Sequence, residues 1–498
     1  MRVSLILLIF ILIVASVLRM EGALTKSFAF TYDVGRDLLA VQSIFSSGKI
    51  PLIGQTTGLA GLFYGPWWYY SLAPAFFISS GNPVGIALFI ALTGVATVYV
   101  GYFLGKYIED INFGLLFASF LAFSPVMVGI ATQIWNPNVA PFYVMLFFFC
   151  FYKIVDLLDK KKNITIYWLL FLGVLLGLLL DSEIVFGVLF TTGVLLSFIF
   201  LFKKKLFIKH YFYIAVGLLL ILLPRVIFEL RHNFLMTRSI LSFASMSLSH
   251  QAGKGFSFKP LTAFASLENL WNYTFARENY LLGVFLLLCT FFGIIFFYKK
   301  IHKKEKFFLQ MILLILFSFF LGLSFFPGDI WSHYTIGIPV LYIFIVSLIS
   351  YKTATYFKKL KIFTFSLVLV LFAIEINPLQ IIESIKNPFW QGDISLYRNQ
   401  LEVVDYVYKY AQGKKFNYVL YTPPIYDYPY QYIFSWYGKN TYGYLPSEKK
   451  ERLFFLIMEQ DNQYPNRLKK WLEVRNGDGK IIDKKTLDGE VQLQIRIH

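Results

Sequence analysis

The chain has only two cysteines, Cys150 and Cys289, and both lie inside apolar runs. A disulfide framework and a cysteine-based metal site are thereby excluded as organising features. Charged residues make up only 15% of the sequence, too few to coat a soluble protein of 498 residues. Motifs of the common soluble chemistries are also missing. There is no P-loop, no G-x-G-x-x-G after a strand, no H-E-x-x-H and no G-x-S-x-G elbow. The chain also carries no internal repeat and no low-complexity linker.

What is present is apolar. Hydrophobic residues reach 57%, aromatic residues 19% and the mean hydropathy +0.60. This composition describes an all-α polytopic membrane protein whose principal partner is the lipid bilayer. Eleven hydrophobic segments are predicted, at roughly 3–20, 84–105, 113–131, 138–152, 165–180, 184–202, 211–228, 281–298, 307–326, 334–350 and 362–377. No small-x-small cleavage site follows the first, so it is read as an uncleaved transmembrane helix. The net charge of +17 is not that of a nucleic-acid binder, because most Lys and Arg fall in short runs between hydrophobic segments.

Those runs set a topology. Lys153 with 160–162, then 203–205, 299–306, and Lys352 with 358–361 are each separated by two segments. All therefore fall on one side, the cytoplasmic one, and so does the N-terminus. The loops at 132–137, 181–183, 229–280 and 327–333 fall outside, as does the tail after 378. By the same parity, residues 21–83 form one external loop. Its stretch GLFYGPWWYYSLAPAFFIS (61–79) lies at or dips into the outer face without crossing. Reading it instead as a twelfth span inverts the N-terminus. The tail, 378–498, is predicted as a small α/β domain. It has helices near 394–412, 428–437 and 464–474, strands at 416–422 and 453–459, and a closing hairpin.

Candidate chemistry gathers on the external side. TYDVGRD (31–37) places Asp33 and Asp37 at i and i+4, on one face if helical, with Arg36 beside them. A carboxylate near a low-dielectric boundary can have its pKa raised toward the range of a general base. The same motif would equally serve as an interfacial helix cap. Glu183 follows Asp181 and Ser182 between two apolar runs, either facing a site or marking a turn. TQIWNPN supplies Trp135 and Asn136, and PRVIFELRHNFLMTR supplies Arg225, Arg231 and Arg238. Arginine suits phosphate through its fork of donors, or it snorkels to the interface. PGDIWSHYTIGIP adds His333 and Tyr334. Charges that collect at one face, with a soluble tail behind them, argue against a transporter or flippase, which is the alternative reading.

The arrangement resembles the GT-C membrane glycosyltransferases, and within them the protein O-mannosyltransferase and aminoarabinose transferase group. TYDVGRD, GLFYGPWWYYSLAP, FSPVMVGIATQIWNPN and HYTIGIP carry the resemblance, which covers about 1–377 in plan. It implies transfer of a sugar from a polyprenyl-phosphate-linked donor to a protein, lipid or glycan acceptor at the outer membrane face, with inversion. It matches Asp33 to the first-loop acidic residue that takes the acceptor proton, with Asp37 as the other candidate. Tyr64-Gly65-Pro66-Trp67 stands where relatives have a Lys- or His-Pro-Pro-Leu segment, so this chain has no cation there. Val34 follows Asp33 where relatives often have Asp-Glu. The leaving phosphate asks for cationic donors or a bound divalent cation; Arg231, Arg238 and His333 are the candidates. Trp67, Tyr69 and Trp135 offer aromatic platforms for the sugar or acceptor.

Overall fold

A computed structural model describes all residues except 1, 203–207, 249–256, 278, 376–392 and 424–425. Each of the eleven hydrophobic segments falls on a helix. Among the described residues, eight helices are long and apolar enough to cross a membrane. The helix pair Ile111–Phe123 and Pro125–Ala131 is long and apolar enough only when taken together across a sharp bend, and Ile166–Ser182 is a shorter apolar helix. The last segment begins as Lys361–Glu375 and runs into residues outside the description, as do the basic run 203–205 and the expected domain boundary at 377/378.

The 64° bend has a local cause. Pro125 cannot donate a backbone hydrogen bond, and its ring forces Ser124 out of the helical region, to ψ 123°. The carbonyls orphaned at the bend are taken up by Arg19 of the first helix, Arg2–Leu24. Its guanidinium donates to Leu121 O at 2.9 Å and Ala122 O at 3.0 Å. The residue is fully buried, and a cation at a helix C-terminus also meets the favourable end of the dipole. The Ser124 hydroxyl donates across to Thr274 O at 2.8 Å. Thr274 belongs to Pro260–Ala276, a helix that packs Trp271 and Phe275 into the main core where the sequence predicts only loop.

Ion pairs sort the connectors to one end of the bundle. Lys304 meets Asp156 at 2.8 Å, Lys160 meets the same carboxylate at 2.6 Å, and Lys352 joins Glu109 and Glu305 at 2.9 and 2.7 Å. The first loop and the loops at 132–137, 181–183 and 327–333 gather away from these pairs. Within the first loop, Trp67–Ile78 is a 12-residue helix. At 1.5 Å per residue it spans about 18 Å, short of the ~30 Å hydrocarbon core, so it does not cross.

The described part of the tail, from 393 on, carries the expected helices and strands. Strands β1 (Phe416–Tyr421), β2 (Leu453–Met458), β3 (Lys480–Leu487) and β4 (Val491–Ile497) form one sheet in the order β1-β2-β4-β3. β1 and β2 are parallel and the other pairs antiparallel. Alternation along β2 buries both faces. Phe454, Leu456 and Met458 meet Leu468 and Trp471 of helix Pro465–Val474, while Phe455 and Ile457 enter a core shared with the first loop. That shared core joins Phe30, Val34, Leu38 and Leu72 to Tyr397, Val404, Tyr430 and Phe455. Backbone bonds from Phe30 to Ser395 (2.6 Å) and from Tyr397 to Phe28 (3.0 Å) fasten the two segments.

Candidate active site

The acidic motif opens a helix, Tyr32–Ser47, that starts after extended Thr31 and ends at Gly48 in the left-handed region. Val34, Asp37, Leu38 and Val41 recur at helical spacing and form its buried face. Gly35 lies against the tail, where a Cβ would stand 2.4 Å from the backbone nitrogen of Pro429. Only glycine allows this approach.

The helix separates the two aspartates. Asp33 projects with a side chain 25% exposed, against 2% for Asp37. Arg36 bridges them, with Nη1 at 2.7 Å from Asp33 Oδ1 and Nη2 at 2.8 Å from Asp37 Oδ1. The remaining oxygen of Asp37 accepts from Trp68 Nε1 at 2.7 Å, and Tyr69 bonds Arg36. Burial raises both carboxyls, Asp37 to about 6, while Arg36 pulls the other way. Asp37 is thus occupied with holding Arg36 and Trp68.

Asp33 lines a cavity of about 480 Å³ walled by three segments of chain. Thr31 and Tyr32 accompany it on one side, Gln133 to Trp135 form a second wall, and the tail supplies Gln400, Thr422, Tyr426 and Glu459. Burial pushes the Glu459 carboxyl up to about 7. None of the tail residues stands out in the sequence, because they reach the cavity only through the tertiary fold.

A second polar cluster shares Trp135. The Tyr64 hydroxyl donates to Glu183 Oε2 at 2.9 Å, and His333 Nε2 lies 3.9 Å from the same oxygen. The rings of Trp135 and Tyr334 stand 5.0 and 4.6 Å from His333. Asn136 donates to Ser182 O at 2.5 Å, so its amide fixes the loop. Glu183 also caps the following helix through Val185 N at 3.3 Å; of its two readings, it is both turn and cluster member. Burial raises Glu183 to about 7 and lowers His333 to about 4, so the imidazole is neutral at pH 7. It can offer a hydrogen bond there but no countercharge to a phosphate.

The Gly-Pro segment is tied to the same cluster. Trp67 N donates to Asp181 Oδ2 at 2.9 Å, Trp67 Nε1 to Ile221 O at 2.7 Å, and Arg225 pairs with Asp181 at 3.2 Å. A Cβ at residue 65 would fall 1.4 Å from Asp181 Oδ1, so glycine is needed there. Trp67 is therefore held as a strut. Of the three arginines in its segment, Arg225 is the buried one, whereas Arg231 and Arg238 are exposed and outside the cavity lining. Among the described residues, no group of three or more His, Cys, Asp or Glu could hold a metal ion.

No family model matches the chain, and no curated protein matches it by sequence. Solved structures do match in fold. Two are crystal structures of ArnT from Cupriavidus metallidurans, in the apo state (TM-score 0.60) and bound to undecaprenyl phosphate (TM-score 0.55). Each is 9% identical, covers 99% of this chain and is itself covered over 97%. The chain is thus an integral, multi-pass membrane protein of the GT-C fold, with a small C-terminal sheet domain. The likeness to ArnT takes in the tail as well as the helices.

Proposed function

We infer that the protein is an inverting membrane glycosyltransferase that moves a sugar from a polyprenyl-phosphate carrier to an acceptor hydroxyl. The observation that carries this reading is the position of Asp33. It is a half-buried carboxylate, set in the first turn of a helix and lining a cavity, in a chain with the fold of a protein that binds undecaprenyl phosphate. In the step proposed, the acceptor oxygen attacks the anomeric carbon as the bond from that carbon to the phosphate oxygen breaks. Asp33 takes the acceptor proton, and polyprenyl phosphate leaves with the electron pair. The carboxylate also stabilises the oxocarbenium-like charge on the ring. Burial raises the Asp33 carboxyl, and Arg36 acts against that rise by favouring the carboxylate.

Arg231, exposed at the end of helix Ile208–Arg231, and Arg238, exposed in the first turn of helix Leu235–Leu248, are assigned to the carrier phosphate, and His333 with Tyr64 and Glu183 to the polar rim beside Trp135. The N-terminus lies on the cytoplasmic side and the tail, from about 378, on the outer side. A divalent cation remains compatible with the chemistry. The test is transfer from a panel of undecaprenyl-phosphate sugars by purified protein, comparing wild type with Asp33→Asn. Transfer falling by about 10²–10⁴-fold with donor binding kept supports the base. Full turnover in the variant removes it.

A further inference from the structure

β1 and β2 are parallel neighbours, so their C-terminal ends come out side by side, with Glu459 N donating to Tyr421 O at 3.0 Å. The carboxyl ends of adjacent parallel strands are a common place for ligands. Here they deliver Thr422 and Glu459 to the wall of the cavity facing Asp33, and helix Tyr397–Ala411 delivers Gln400 beside them. Gln400 is 4% exposed and Thr422 6%. Among the described residues, Gln400 Oε1 and Thr422 Oγ1 have no hydrogen-bond partner, although a buried polar atom without one is costly. Both belong to residues that line the cavity.

The lining also identifies the ligand chemistry. Among apolar residues such as Phe30 and Ile134 it contains two carboxyl groups, amides, hydroxyls and the rings of Trp135 and Tyr426, and among the described residues no Lys, Arg or His. A phosphate in that space would face Asp33 and Glu459 with no cation in the lining itself, since Arg36 behind Asp33 is already shared between Asp33 and Asp37. A neutral ring whose hydroxyls both donate and accept satisfies every one of these groups. About 480 Å³ is the size of a small-ligand site. The geometry points to a sugar-reading wall in the tail: Gln400, Thr422 and Glu459 bind the hydroxyls of a sugar ring in the Asp33 cavity and set which sugar is accepted. This rests on the transferase reading for its purpose, but not for its test.

The ring is either the sugar being moved or a sugar acceptor, and the test separates the two. Full-length protein in nanodiscs is titrated with undecaprenyl phosphate, with its mannosyl, glucosyl, galactosyl and pentosyl forms, and with the matching methyl glycosides. Thr422→Val and Gln400→Leu each remove the polar atom at similar volume, while Thr422→Ser keeps the hydroxyl. Each apolar variant is expected to weaken sugar-bearing ligands about tenfold, the scale of one hydrogen bond. Bare undecaprenyl phosphate is expected to bind as in wild type, the melting temperature to hold or rise, and Thr422→Ser to behave like wild type. Loss confined to carrier-linked forms assigns the ring to the donor, and loss on methyl glycosides to the acceptor. Unchanged affinity for every sugar ligand in both apolar variants overturns the inference, as does a wild type that binds none of them. If Asp33→Asn transfers normally while Thr422→Val loses sugar binding, the base assignment fails and the sugar wall stands.

Discussion

Asp33 and Asp37 are one helical turn apart and differ in what surrounds them. Asp37 is engaged by Arg36 and Trp68, so Asp37→Asn is expected to cost about 1–3 kcal/mol of stability while leaving transfer measurable. A melting temperature equal to wild type would count against that structural role. As the proposed base, Asp33 has to be ionised, and burial sets its pKa above the ordinary carboxylate value. The acid limb of kcat/KM is therefore expected above about pH 3.9, with activity falling as pH drops through it. Removing the positive charge of Arg36 disfavours the carboxylate, so Arg36→Gln should move that limb to higher pH. An unmoved limb would show that Arg36 does not tune the base.

At the scale of elements, the joints matter more than the spans. Arg19 closes the carbonyl end of Ile111–Phe123 at the bend, and Arg19→Met leaves those carbonyls without their donor. A loss of about 1–3 kcal/mol per orphaned group is expected, read as a lower melting temperature in detergent. Gly35 sets the seat of the tail; Gly35→Val is expected to raise protease sensitivity in the tail while the membrane helices stay intact. Unchanged cleavage would mean that the contact with Pro429 is not what holds the tail down.

The spans were legible in the sequence because twenty-residue apolar runs and basic connectors are local signals. The sheet was legible because FNYVLYT, LFFLIME and the closing hairpin alternate locally. Helix Pro260–Ala276 was not, since Glu268 and Asn272 break its apolar character and only packing makes it a core element. The role of Arg19 is not legible in the sequence, because a lone cation near a helix end has the same local signature as an interfacial residue. Of the site, the acidic helix and its aromatic partners were visible as motifs. Gln400, Thr422 and Glu459 were not, because nothing within about ten residues of each signals that parallel strand ends meet Asp33.

At the scale of the whole molecule, tail and first loop share one core, so the tail is part of the site's architecture. Buried carboxyls outside the spans include Asp37, Glu183 and Glu459, whose folded pKa values are raised to about 6, 7 and 7. For a raised carboxyl the stabilising contribution is complete below the unfolded pKa and is lost as pH rises through the folded one. The melting temperature is accordingly expected to rise as pH falls from about 8 toward 5, and Glu459→Gln to flatten part of that slope. A melting temperature that falls over the same range contradicts the raised pKa values of these groups.

The central claim is that this fold uses Asp33 as the base of sugar transfer. The most direct measurement is the single-turnover rate of product formation from a carrier-linked sugar that wild type accepts, for Asp33→Asn and Asp37→Asn side by side. The expected result is a rate reduced by about 10²–10⁴-fold for Asp33→Asn, with Asp37→Asn retaining much of its activity at a temperature where it is folded. Equal rates for wild type and Asp33→Asn, or loss only in Asp37→Asn, would contradict it.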